Sequence, residues 1–219
     1  MNAGQRPRTS SAALAVCLLI SGCSGASIRE VARDPQQDRL ERLLLEILPY
    51  TNAPQKHYWV RVAEPTKHRI GLTVLHHRHI YLAKDLLETA DDGIVRALLA
   101  NGVAHHRLKH HTTGDVWSMT QRAAFKAGGF FVPGLSHGYR MTNPMGEAVL
   151  RAGQERGADK QAVEYLMAAG YSKDDLIRAF QFMVDHDYAK CIGRIVLSSH
   201  ELTRRIGYLQ RLDASALSD

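Results

Sequence analysis

The segment from Asp91 to His111 constrains the fold of this chain more than any other. Asp91 or Asp92 can cap a helix running to about His111, and Ile94, Val95, Leu98 and Leu99 give it an apolar stripe at helical spacing. Upstream, Leu40, Leu43, Leu44, Ile47 and Leu48 mark an amphipathic helix that Pro49 stops. Val, Ile and Tyr in alternation then suggest short strands over 58–63, 70–75 and 79–83, forming a small antiparallel sheet. Downstream, residues 115–126 can form a helix, and residues 128–134 read as a loop. Asn143-Pro144 opens a long helix that Gly170 ends. Ser172 to Asp175 reads as a capping box for a helix to about Ala189, and a last helix covers 201–212. The sum is an α+β fold, a small sheet against a mainly helical body.

The first residues are of another kind. Arg6 and Arg8 precede an apolar run from Ala12 to Ile20, too short to span a bilayer and typical of a secretory signal. Ile20-Ser21-Gly22-Cys23 resembles a bacterial lipobox, which implies a signal peptide over 1–22 and a lipid on Cys23. Ser24 follows with no Asp, which in that resemblance favours the outer membrane, the protein facing the periplasm. A tether over 23–39, a domain over 40–213 and a tail over 214–219 complete the expected organisation. Three cysteines cannot supply a disulfide framework, and Cys191 is expected as a lone, buried thiol. Loss of Arg6 and Arg8 takes the net charge from +6 to +4. No basic stripe interleaved with aromatics appears, so nucleic acid is not an expected partner.

The chemistry centres on the run Leu98-Leu99-Ala100-Asn101-Gly102-Val103-Ala104-His105. It resembles the metal helix of the HtpX/BepA-like zinc metallopeptidases (peptidase family M48), which place His-Glu-x-x-His on a helix so that two imidazoles hold one zinc and the Glu acts as general base. The resemblance continues through Glu155-Arg156-Gly157-Ala158-Asp159, similar to the family's E-x-x-A-D element, and through Leu197-Ser198-Ser199-His200 with Arg204, Arg205 and Ile206. It implies a zincin-like (gluzincin) fold, Glu155 as a metal ligand, Asp159 in support of one, and His200 as an added ligand. His79 to Ala83 resembles the edge strand that precedes the metal helix.

Two positions depart from the pattern. Asn101 stands at the first ligand position, where an amide oxygen is a weak ligand, and Gly102 stands at the base. Without that carboxylate, nothing on the helix takes a proton from a metal-bound water. The expected surviving metal set is His105, Glu155 and His200, holding zinc weakly or not at all. The alternative is a hydrogen-bonded His105–Glu155 pair in a dry pocket, with Asp159 in its network. His106 and His110 read as a solvated basic helix end, and His76, His77 and His79 as alternating on an exposed strand. The favoured function is a lipid-anchored, catalytically inactive pseudopeptidase that binds an envelope protein or unfolded peptide, with β-augmentation beside His79 to Ala83. The alternatives are an active zinc endopeptidase in envelope protein quality control and a metal-buffering lipoprotein using the twelve histidines.

Overall fold

The computed structural model describes residues 28–31, 34–51, 57–66, 68–75, 78–109, 135–192 and 195–212, with the side chains of 135–151 and of Ile195 outside the description. The signal segment with Cys23, the expected helix over 115–126, the loop over 128–134, His76, His77, His110 and the tail all lie outside those residues.

The apolar stripes become the buried faces. α1 (Gln36–Ile47) buries Leu40, Leu43, Leu44 and Ile47. Its Arg39 reaches across to Asp92 at 2.7 Å and donates to the carbonyls of Leu87 and Ala90, where α2 (Lys84–Thr89) ends with unpaired carbonyls. α3 (Asp92–Arg107) opens on Asp91, whose carboxylate accepts from the Ile94 amide at 2.9 Å. α3 is buried nearly all round, because α1, a sheet strand and two later helices pack on it. α4 (Leu135–Ala168) starts earlier than Asn143-Pro144 suggests. The chain then turns at Gly170, whose φ of +84° suits a residue without a Cβ. α5 (Lys173–Asp185) has the capping box expected at Ser172 and Asp175, and α6 (Ser199–Arg211) has a second one, Ser198 with Glu201.

The sheet has five strands in the order β1-β3-β2-β4-β5: β1 (Trp59–Ala63), β2 (Ile70–Leu75), β3 (His79–Ala83), β4 (Ala189–Ile192) and β5 (Ile195–Leu197). It is mixed rather than antiparallel, since β1 pairs parallel with β3 and β2 parallel with β4. The second of these comes from β4, which follows α5 directly; the first arises because β3 lies between β1 and β2. The helix expected to reach Ala189 stops at Asp185, and Asp187 at φ +54° turns the chain into the strand. β3 is an inner strand, held by β1 and β2, and not the edge expected for His79 to Ala83. β1 is the edge on that side, and its end is already paired: Val31 donates to Val62 and Glu64 to Arg29. Cys191 in β4 is fully buried and disulfide-bonded, which corrects the expectation of a lone thiol. Among the described residues no helix is long and apolar enough to cross a membrane.

Candidate functional site

Helical periodicity brings the polar residues to one place. Asn101 and His105 share a face of α3, Glu155 and Asp159 share a face of α4, and α3 packs on α4. Arg205 enters from α6, and Lys190 from β4, where the neighbouring strand residues are apolar. All six are buried, with Asn101, His105, Asp159 and Lys190 fully so.

Lys190 is the centre of the cluster. Its ammonium donates to the Asn101 amide oxygen, to His105 Nε2 at 2.8 Å and to Glu155 Oε2 at 3.3 Å. An ammonium has three donors and no acceptor, so its capacity is filled. Because His105 Nε2 receives a proton-bearing group, the ring's own proton sits on Nδ1. His105 Nε2 also lies 3.4 Å from Glu155 Oε2. Arg205 Nη1 approaches the same carboxylate oxygen to 2.6 Å, an ion-pair distance without the alignment of a hydrogen bond. The rest of the Arg205 fork grips Asp159, Nε donating to Oδ2 at 2.8 Å and Nη2 to Oδ1. Asn101 closes the circuit by donating from Nδ2 to Asp159 Oδ1 at 3.0 Å. An amide can link an ammonium to a carboxylate in this way, and an imidazole in one tautomer cannot offer the same oxygen and NH₂ pair. Phe180 covers the cations, with the Arg205 guanidinium 4.3 Å from its ring centre.

The electrostatics follow from burial and pairing. Burial and the neighbouring Lys190 charge push His105 down to about 3, so the ring is neutral. Burial opposes ionisation of Glu155, but Lys190 and Arg205 outweigh it and hold the carboxyl well below its ordinary value. Burial, with Arg205 nearby, brings Lys190 down to about 8, which leaves it mainly charged at neutral pH. Burial pulls Asp159 upward against Arg205. Three donors converge on it, and we take it as the anion. Two cations then balance two carboxylates, and the centre sums to zero.

The structure brings together His105, Glu155, Asp159 and Asn101, all singled out from the sequence, around Lys190, which sequence reasoning missed altogether. Its signal is a lysine inside Tyr188-Ala189-Lys190-Cys191-Ile192, a short apolar run that turns it inward. His200 does not join the centre. It is exposed on the first turn of α6 and bonds Arg204 at 3.3 Å. His106 is buried, not a solvated helix end, with Nε2 3.3 Å from the His79 carbonyl and its ring edge-on to Tyr58. His79 is half-buried between Trp59 and Tyr81.

Gly102 has a packing reason. A Cβ there would lie 3.0 Å from Ile80 Cδ1 and 3.3 Å from Cγ2, on the β3 side of α3. Gly102→Ala is expected to gain helix propensity but lose about 1–3 kcal/mol to overpacking unless Ile80 shifts. Gly102→Glu is expected to cost more, since it also forces a carboxylate toward an apolar wall. Urea midpoints of both variants, alone and with Ile80→Val, test this. Relief of the loss by the smaller Ile80 replacement is the expected signature.

The described architecture is a metallopeptidase-like α/β domain in which His105 and Glu155 meet across α3 and α4. Residues 34–213 match Peptidase family M48, and the chain belongs to that family. No curated protein matches the chain. The family is one of zinc enzymes, so the fit of these residues to zinc can be judged. Catalytic zinc takes three protein ligands and a water. Here His105 and Glu155 remain, but the third direction belongs to an amide, and the Lys190 ammonium lies within bonding reach of all three groups. At an effective dielectric of 20, unit charges about 4 Å apart interact by about 4 kcal/mol, so a dication beside this lysine meets about 8 kcal/mol of repulsion. The donor set fits an internal ammonium and does not fit zinc. Among the described residues no group of three His, Cys, Asp or Glu side chains could hold a metal.

Proposed function

We propose that this protein is a pseudopeptidase of its family, a lipid-anchored envelope protein that binds other envelope proteins or unfolded peptides and does not cleave them. The observation that carries the reading is Lys190, whose ammonium takes up the three groups a catalytic metal would need. Around it the framework residues persist: Glu155, Asp159 and Arg205 are buried and paired, so the scaffold is maintained while the base position is Gly102. A carboxylate general base typically contributes about 10²–10⁴-fold, and the one carboxylate on α3, Asp92, sits at the far end of the helix, paired with Arg39 and Arg42. The retained fold without the hydrolytic groups supports binding as the remaining use. β-Augmentation at His79 to Ala83 is no longer part of the proposal, because that strand is flanked on both sides.

The anchor is proposed from the lipobox-like Ile20 to Cys23.

The test is metal content and cleavage of unfolded casein by protein extracted from the envelope, with intact mass measured on the same sample. The expected result is sub-stoichiometric zinc, no chelator-sensitive cleavage, and a mass that includes lipid on an N-terminal Cys23. Stoichiometric zinc with chelator-sensitive cleavage that His105→Ala abolishes would establish the active-enzyme reading instead.

A further inference from the structure

Beside the buried centre, between α4, β5 and α6, lies an open cavity of about 230 Å³. Glu155 and Arg205 form its inner wall, Leu197 and Tyr208 its apolar side, and Arg156 and Arg204 its outer part. The charges along it are not equally committed. Glu155 is taken by Lys190 and Arg205, and Glu201 accepts from the Ser198 amide in the cap of α6. Arg156 and Arg204 are exposed, and neither has a carboxylate partner among the described residues. Arg156 lies over the Tyr208 ring at 5.5 Å, and Arg204 touches His200. Two guanidinium forks with unfilled donors therefore face one small, partly apolar space.

We infer that this cavity binds a carboxylate, specifically the C-terminal carboxylate of a peptide whose last side chain is apolar. The inference rests on the proposed binding function and names its ligand. Size supports a single terminal residue. Small-molecule sites run from about 300 to 1,000 Å³, and this cavity falls below that range. Chemistry selects the end group, because paired arginine forks match a carboxylate in a way that a neutral amide does not. The apolar side at Leu197 and Tyr208 accepts the side chain next to it, and terminal-carboxylate capture is a recurrent mode of peptide recognition.

The experiment is calorimetry on the full chain with three N-acetylated peptides. One is acetyl-Gly-Ser-Ala-Leu with a free carboxylate, the second its C-terminal amide, and the third an amidated peptide ending in glutamate. The free acid is expected to bind at least about tenfold tighter than the amide, the factor that one charge-assisted hydrogen bond supplies. An Arg156→Gln, Arg204→Gln double variant, both positions being exposed, is expected to lose that preference while keeping its circular dichroism. Equal binding of acid and amide, no binding of either, or an unchanged preference in the double variant overturns the inference. Glutamate-amide binding as tight as the free acid would move the ligand to an acidic side chain and overturn the terminal assignment. Mass spectrometry of the recovered peptides keeps the two readings apart. Cleavage would remove the non-hydrolysing function without touching carboxylate preference, and intact peptides without preference would remove the cavity's ligand alone.

Discussion

Lys190→Met is expected to lower folding stability by about 3–5 kcal/mol, the range for deleting one member of a buried charge pair. Methionine nearly preserves the volume, so the loss reports charge and hydrogen bonding more than a cavity. It takes the donor from the Asn101 oxygen and leaves Glu155 and Asp159 with one cation between them. The pH dependence gives a signature that packing alone would not. In the folded protein Lys190 titrates near 8, against 10.5 for an ordinary lysine. Between those values the unfolded state binds more protons, so this group's contribution to stability rises as pH increases through that window. The methionine variant lacks that rise. At acid pH the argument concerns His105, whose value of about 3 lies below the ordinary 6.5. Stability falls from about pH 6.5 downward as the unfolded state takes up the proton. With the Lys190 charge removed and Glu155 still beside it, the ring is expected to titrate higher, and the acid loss to shrink. Urea midpoints from pH 4 to 10, with NMR titration of the Lys190 ammonium in the native protein, measure all of this. A loss under about 1 kcal/mol with an unchanged alkaline slope, or a native Lys190 titrating at its ordinary value, would remove the ammonium from the centre.

The reason Lys190 escapes a reading of the sequence is instructive beside what does not escape it. α1 and α3 announce themselves through stripes such as Leu40, Leu43, Leu44 and Ile47, and through a capping carboxylate at Asp91, because helical burial is local and periodic. Ser172 and Asp175 fix the start of α5 for the same reason. The pairs Asn101/His105 and Glu155/Asp159 are legible as i, i+4 faces, and the family pattern says that the two faces meet. β4 is four residues long, follows α5 after a three-residue turn, and owes its position to a parallel partner more than a hundred residues earlier. No local period of that length separates a strand from the frayed end of a helix. His106 fails for a related reason. It is followed by Arg107 and Lys109, which make the run look solvated, but Tyr58 and the His79 carbonyl, supplied by the sheet, bury it.

Arg205→Met is expected to be the more damaging of the two replacements. One guanidinium meets both carboxylates, Glu155 at 2.6 Å and Asp159 through two donors, and packs on Phe180. Its removal leaves two buried anions with Lys190 alone, and Lys190 has no hydrogen bond to Asp159 to offer in its present position. The cost is expected at or above the upper end of about 3–5 kcal/mol, a large part of the 5–15 kcal/mol that holds an ordinary domain together. Arg205→Lys keeps the charge but loses the fork, and is expected to fall between the two. The sign of the pH effect follows from Asp159, which burial already pulls above its ordinary 3.8. Without Arg205 the folded state favours the protonated acid. Asp159 is raised in the parent as well, so both proteins lose some stability as pH rises above about 4, and the decline is expected to be larger in the methionine variant, which lacks the guanidinium that holds the anion. Pairing the change with Asp159→Asn removes the stranded anion, so the double variant is expected to be more stable than the sum of the two single losses by about 1–3 kcal/mol. Additive losses, or a methionine variant within about 1 kcal/mol of the parent at neutral pH, would mean that α6 is not tied to α4 through this fork. The neutral balance of the centre would then have to come from other groups.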